Sequence, residues 1–379
     1  MKIARITTVP AALVHFTGHI PRWRDSGAQV HLISSPIDSQ YWDYLTKTTG
    51  AEKILIDIPR DISPWRDLKA LINLYLLFRR EKYDVVHSTT PKASLLVALG
   101  GLLARVPIRL HTYTGQRWAT LKGPLRFLLR KSDWLVSFLN TATYADSHSQ
   151  VEFLIGEKAV VPSKITCLKK GCLSGIDLNK FNKSSYDKAK LRAEFKLKAN
   201  DRVIIYVGRM TQDKGVEELI HSFVRLQKEI PNLHLFLLGI FESPLDAEIK
   251  SILQSHSQIH YQGFHNEPQK FLALADFFCM PSYREGFGTV ILEAAAFELP
   301  SVGTSIPGLI DAIVPEETGL LIPVKDEEAL YQAMKKLALN SKYCELLGKA
   351  AYERVRKDFQ MEFLSDAMWA EYVKLVGES

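Results

Sequence analysis

The sequence predicts an α/β protein built of two doubly wound parallel sheets, on three observations. Short apolar runs alternate with helix-forming stretches through both halves of the chain. The run Val203-Ile204-Ile205-Tyr206-Val207 is apolar throughout, which suits a parallel strand covered on both faces. Several such runs end in glycine or in a polar cluster, and open α/β sheets bind their ligands at those carboxyl ends.

In chain order, Ile3 to Val9 reads as the first strand. The loop after it, V-P-A-A-L-V-H-F-T-G-H-I, holds Gly18 as its single glycine, and His15 and His19 there either line a cleft or open a helix. Strands follow at Gly27 to Ile33 and Lys53 to Ile58, then a helix from Ser63 to Arg80 and a strand at Tyr83 to Ser88. Ala93 to Ala104 is a buried helix and Ile108 to Thr112 the next strand. This order brings the polar stretches beginning at His87 and at His111 to one rim. Asn182 to Lys190 is polar and reads as a linker. Beyond it come strands at Val203 to Val207, Leu233 to Gly239, Ile259 to Phe264, Leu272 to Met280 and Ser301 to Thr304, and the tail from Asp326 is helical.

The segment Met280 to Pro300, M-P-S-Y-R-E-G-F-G-T-V-I-L-E-A-A-A-F-E-L-P, organises the rest. Pro281, Ser282, Gly286 and Gly288 break regular structure into a loop, and from Thr289 helix formers take over until Pro300. A strand, glycine loop and helix in succession leave backbone N–H groups open to an anion. Glu285 sits in the loop, and Glu293 lies about one turn into the helix, from where a helical side chain leans back toward the loop. An anion site between two carboxylates suits a phosphate joined to something rich in hydroxyls.

The string E-G-F-G-T-V-I-L-E-A resembles the E-x7-E signature of family 4 retaining glycosyltransferases, which have the GT-B fold. Gly208-Arg209-Met210-Thr211-Gln212-Asp213-Lys214-Gly215 is similar to that family's G-R-x(4)-K-G motif, and Gly171 to Phe181 to its G-x-x-x-G-[IV]-D-x-x-x-F segment. D-V-V-H-S-T-T-P-K-A and R-L-H-T-Y-T-G-Q-R-W resemble the branch that builds bacterial surface polysaccharides. The resemblance implies two Rossmann-like domains facing a cleft: residues 1–182, joined by a closing helix at about 360–379, and residues 183–359. It implies that Glu285 contacts the donor sugar, Glu293 holds the nucleotide ribose, and Arg209 and Lys214 bind the donor pyrophosphate. Gly208, Phe264, Gly286, Phe287, Gly288 and Thr289 complete the expected donor site. Many relatives carry a catalytic His in a T-x-H-G pattern; aligned on Gly115, that place holds Thr114, so His111, three residues earlier, is the candidate, with a core His as the other reading.

Composition narrows the rest. The 379 residues, 46% hydrophobic and 24% charged, suit a globular protein of more than one domain. No signal peptide is read at the amino terminus, and residues 93–104 are too short to span a membrane. The four cysteines lack metal-ligand spacing and fit a reducing cytoplasm. No D-x-D occurs, so a metal held by that pattern is not indicated, no cofactor is expected, and Arg209 and Lys214 would carry the leaving-group charge instead. Residues 1–185 hold 26 Lys and Arg against 14 Asp and Glu, a net +12, while the remainder is −6. The basic half predicts an anionic partner, and Gln116 to Lys131 mixes cations with aromatic and aliphatic residues. That stretch either meets an anionic membrane or packs on the sheet with a basic edge. Lys92, Arg117, Trp118 and Lys122 are the candidate acceptor or membrane contacts.

The expected activity is transfer of a sugar from a nucleotide donor, UDP-linked, to a lipid- or saccharide-linked acceptor in polysaccharide, O-antigen or capsule assembly. The expected place is the cytoplasm, with peripheral contact on the inner face of the membrane. The alternatives are a GT-B nucleotide-sugar epimerase and a non-catalytic GT-B subunit that recruits a partner to the membrane. Nucleic-acid binding has no motif behind it.

Overall fold

The computed structural model describes residues 1–242 and 246–378. The chain divides into two compact units, Met1–Gly175 with Met361–Ser379, and Ile176–Gln360. The boundary falls earlier than the expected 182/183, because the segment from Ile176 is tied into the second unit. The Ile176 N–H donates to the Phe359 carbonyl at 2.8 Å.

The first unit is a parallel sheet of β1 (Lys2–Ile6), β2 (Gln29–Ser34), β3 (Glu52–Leu55), β4 (Val85–Ser88), β5 (Ile108–Tyr113), β6 (Ala142–Ala145) and β7 (Ile165–Thr166), in the order β3-β2-β1-β4-β5-β6-β7. Residues of β1 alternate between two cores, as side chains on a strand must. Ile3 packs with Trp23, Trp42 and Tyr372 on one face, and Ala4 and Ile6 pack with Leu74, Phe78 and Val97 on the other. Each fully buried aliphatic side chain contributes about 1.5–3 kcal/mol, so both faces of the sheet need their helices. Tyr372 comes from the last helix, Met361–Gly377, which belongs to this unit.

The second unit repeats the plan with β8 (Arg202–Val207), β9 (Leu233–Leu238), β10 (Ile259–Gly263), β11 (Phe277–Met280), β12 (Ser301–Thr304) and β13 (Gly319–Ile322), all parallel, in the order β10-β9-β8-β11-β12-β13. In each sheet the chain works outward from one central strand, then returns to start the other side beside it. That reversal lies between β1 and β4 in the first unit and between β8 and β11 in the second, and crevices open at such points.

Two expected elements change. Leu272 to Met280 is not one strand: Gln269–Leu274 is helical, and β11 starts only at Phe277. Asp276 divides them, since its carboxylate accepts the Val203 N–H at 2.8 Å and pairs with Lys188 at 2.9 Å. The stretch from Gln116 to Lys131 splits into a short 3-10 turn, Arg117–Thr120, and a long helix, Gly123–Leu139. Among the described residues no helix is long and apolar enough to cross a membrane.

Candidate active site

At the reversal point of the second unit, the loop after β8 (208–215) meets the loop after β11 (281–288). Their approach depends on Gly215. Its φ is +66°, and a Cβ there would lie 2.2 Å from the Pro281 carbonyl oxygen, so any side chain would force the loops apart. Three contacts then join them. The Lys214 Nζ lies 2.5 Å from Glu285 Oε1, with both side chains largely buried. The Tyr283 N–H donates to the Asp213 carbonyl at 2.8 Å, and Arg284 pairs with the Asp213 carboxylate at 2.6 Å. Burial pushes the Asp213 carboxyl up, but the Thr211 hydroxyl, Arg284 and Lys214 outweigh it and hold the group below its usual range.

Arg209 leaves the same loop in another direction. Its Nη1 reaches both Glu242 carboxylate oxygens at 3.0 Å, and its side chain is half exposed. The Tyr206 hydroxyl donates to the Arg209 carbonyl at 2.8 Å, which braces the loop from β8. Glu293 stands on the helix Thr289–Ala295 that follows the glycine loop. Burial raises its carboxyl to about 7, and Lys180 opposes that shift. The expected donor residues thus divide. Glu285 and Lys214 are in contact; Arg209 is at the same loop on a separate partner; Gly208, Gly286, Gly288 and Thr289 are in the two loops or directly after them. Phe264 follows β10 and is exposed. Phe287 is a correction as to its ring alone, which is 2% exposed and packs 5.4 Å from Phe359 in the core, so what this residue offers the loop between Gly286 and Gly288 is its backbone. The pair Asp213 and Arg284 escaped the sequence reading, although Asp213 lies inside the G-R-x(4)-K-G run and Arg284 directly precedes Glu285.

The rim of the first unit is built differently, from neutral hydroxyls and histidines. His111 is buried, with Nδ1 2.9 Å from Ser88 Oγ, and burial lowers its pKa to about 3. Its burial and its bond to Ser88 favour the core reading of His111 over the catalytic one. His19 is likewise buried on the Ser174 carbonyl at 2.8 Å and lowered to about 4, chiefly by burial. Trp118 is a second correction: it is 2% exposed and donates from Nε1 to Asp133 at 2.6 Å, so it faces the core and not a membrane. Lys92 is tied to Asp67 at 2.6 Å, while Arg117 and Lys122 are exposed. Among the described residues no group of three His, Cys, Asp or Glu could hold a metal ion. A cavity of about 310 Å³ in the second unit is lined by Lys188, Arg202, Asp276 and Cys344, at the opposite end of the strands from the Lys214–Glu285 contact.

The profile of the family described as Glycosyl transferases group 1 matches residues 187–354, and that of the Glycosyl transferase 4-like domain matches residues 14–168. Along its whole length the chain is 31% identical to the capsular polysaccharide biosynthesis glycosyltransferase CapM of Staphylococcus aureus, of which it covers 98%. The chain belongs to the group 1 glycosyltransferases. A second relative of this glycosyltransferase is the UDP-Gal:alpha-D-GlcNAc-diphosphoundecaprenol alpha-1,3-galactosyltransferase of Escherichia coli, 28% identical over 84% of the chain and 82% of that protein. Among solved structures, Anabaena HepE in complex with UDP-glucose matches with a TM-score of 0.82 at 17% identity, covering 99% of each chain. WaaG, a glycosyltransferase involved in lipopolysaccharide biosynthesis, matches with a TM-score of 0.74 at 15% identity, over 98% of this chain and 99% of its own. These likenesses show the GT-B fold. Each family match falls inside one structural unit, so the glycosyltransferase carries the 4-like part in its first unit and the group 1 part, with Lys214 and Glu285, in its second.

Proposed function

We propose that this glycosyltransferase moves a sugar, with retention of configuration, from a UDP-linked donor to a lipid- or saccharide-linked acceptor in bacterial surface-polysaccharide assembly. The observation that carries the reading is the Lys214–Glu285 contact at the reversal point of the second sheet. A cation and a carboxylate held together there serve the two halves of a nucleotide sugar. Lys214 exchanges its carboxylate for the donor diphosphate, and the released Glu285 accepts hydrogen bonds from the sugar hydroxyls. The anomeric C–O bond breaks with its electron pair going to the diphosphate, the acceptor oxygen forms the new bond to that carbon, and the acceptor's hydroxyl proton passes to the departing diphosphate oxygen. Lys214, joined by Arg209, meets charge that grows as the bond breaks, so its contact strengthens in the transition state and lowers the barrier. Glu293 takes the ribose hydroxyls.

A peripheral contact with an anionic membrane is part of the reading. On the helix Gly123–Leu139, Leu125, Phe127 and Leu128 are 48%, 56% and 60% exposed, beside Arg126, Arg130 and Lys131. On the helix Pro64–Glu81, Trp65, Leu68, Ile72 and Leu76 form a second exposed apolar stripe. Apolar side chains ringed by Lys and Arg suit an interface rich in anionic lipid.

The test is a thermal-shift panel of UDP-, GDP- and ADP-sugars followed by transfer assays and NMR of the product anomer. A true donor at a hundred times its Kd stabilises by about 2.7 kcal/mol. A panel in which no nucleotide sugar shifts the melting temperature overturns the reading.

A further inference from the structure

The cavity of about 310 Å³ in the second unit lies at the foot of β8 and β11. These are the two strands whose other ends carry the loops of Lys214 and Glu285. Its wall holds a cluster of cations around one carboxylate. Asp276 Oδ1 lies 2.9 Å from Lys188 Nζ, 3.5 Å from Arg192 Nη1 and 3.6 Å from Arg202 Nη1. Its Oδ2 accepts the Val203 N–H at 2.8 Å. One carboxylate balances one positive charge, and here three cations share a single oxygen. Of these contacts, the one from Lys188 alone has the length of a strong hydrogen bond. Arg202 donates from Nη2 to the Leu337 carbonyl at 3.1 Å, and its buried Nε has no partner among the described residues.

The rest of the lining does not cancel this surplus. Glu298 is taken by Lys183 at 2.7 Å, and Glu345 is balanced in charge by Lys349, both exposed at the solvent side. Two positive charges are left over. Ser341, also on the wall, lies in the first turn of the helix Ser341–Asp358, which holds no acidic residue. The positive end of that helix therefore adjoins the cavity. Phe297 and Leu299, both buried, line another part of it and offer apolar surface. Desolvating a cation surplus costs stability, and an anion that enters recovers it. A guanidinium and an ammonium side by side suit the oxygens of a phosphate. A phosphate monoester carries about −1.5 to −2 at pH 7, which matches the surplus. Small-molecule sites run from about 300 to 1,000 Å³, so this volume fits a phosphorylated sugar better than a nucleotide sugar.

We propose that this cavity binds a phosphate monoester of sugar-phosphate size, with Arg202 and Lys188 on the phosphate and Phe297 and Leu299 against the carbon skeleton. The ligand is separate from the nucleotide-sugar donor, whose diphosphate the reading above gives to Lys214 and Arg209 at the other end of the strands.

The experiment titrates ribose 5-phosphate, inorganic phosphate and UDP, each separately, into the full chain by calorimetry, for the wild type, Arg202→Gln, Lys188→Ala and Lys214→Ala. Ribose 5-phosphate binding should weaken about tenfold in Arg202→Gln and about threefold in Lys188→Ala, and hold in Lys214→Ala. It should also be tighter than binding of inorganic phosphate. UDP affinity should fall in Lys214→Ala and hold in the other two variants. No ribose 5-phosphate binding to the wild type, or equal affinity in the wild type, Arg202→Gln and Lys188→Ala, overturns the site. A fall confined to Lys214→Ala puts the phosphate in the donor loops and overturns it too. Inorganic phosphate that binds as tightly as the ester overturns the monoester assignment. Where Arg202→Gln does not fold, Lys188→Ala decides, because that side chain is 41% exposed and its loss leaves two arginines on Asp276. UDP affinity indifferent to Lys214→Ala counts against the proposed function and not against this cavity.

Discussion

The two units share a sheet plan but equip its reversal point in opposite ways. In the second, cations meet carboxylates: Lys214 with Glu285, Arg284 with Asp213, Arg209 with Glu242. In the first, threonine hydroxyls and neutral histidines surround one buried arginine that lacks a carboxylate. In the second unit each of these cations already has a carboxylate. In the first, Arg5 is held by two hydroxyls and an aromatic ring. This contrast explains why the motifs crowd into residues 208–215 and 285–293, where chemistry demands particular charged types at particular spacings, while the first unit's rim reads as ordinary strand ends.

The sharpest way to break the comparison is Lys214→Ala. It should lower kcat/KM by about 10²–10³ in steady-state transfer assays, since one charged donor to the leaving group is lost. Near-normal turnover at saturating donor would remove the paired-charge account of the second unit. Glu293→Gln comes next. The Glu293 carboxyl is raised to about 7, so the folded state holds its proton where the unfolded chain has released it. Stability from this group is therefore fully present below the ordinary carboxylate pKa and falls as pH rises to about 7. Glu293→Gln should flatten that part of the melting-temperature profile, with a gain on the order of 1–3 kcal/mol at pH 8. It should also raise donor KM more than it lowers kcat, and abolish any gain in donor affinity between pH 6 and 8 seen in the wild type. A wild-type and mutant stability profile of equal slope would sink the ionisation argument.

Smaller effects refine the contrast. Asp213→Asn and Arg284→Gln should each raise donor KM several-fold, and the double mutant should reveal a coupling of about 1 kcal/mol in a thermodynamic cycle. Strict additivity would show that the two loops are placed without that pair. In the first unit, Trp118→Phe should cost about 1 kcal/mol by taking the hydrogen bond from Asp133, whose carboxyl burial already raises to about 7. It should leave vesicle binding unchanged, whereas Phe127→Ser should weaken sedimentation with anionic vesicles and leave stability unmoved. The reverse pattern would return Trp118 to the membrane face.

How far each region could be read without coordinates follows from the kind of force involved. The strand at Val203 to Val207, the helix after Gly215 and the loop around Gly286 depend on local pattern and backbone freedom, so their residues announce them. The division of Leu272 to Met280 into helix and strand did not show, because an apolar run of that length suits either state until Asp276 meets Val203 and Lys188. Trp118 looked like an interfacial aromatic because its neighbours are basic, and only its packing beside Asp133 and Phe153 shows it turned inward.

The resemblance to the family's motifs singled out Glu285, Glu293, Arg209 and Lys214, while chain order and residue type alone were enough for the doubly wound class and the position of the glycine loop. Those last two follow from period and turn chemistry, which act over a few residues. Which cation meets which carboxylate, the neutrality of His111 and the isolation of Arg5 required the folded chain. Lys214 and Glu285 are 71 residues apart, and Arg5 and Tyr372 are 367 apart. Partnerships at such separations, and the desolvation that shifts a pKa, exist only once the sheets have closed around them.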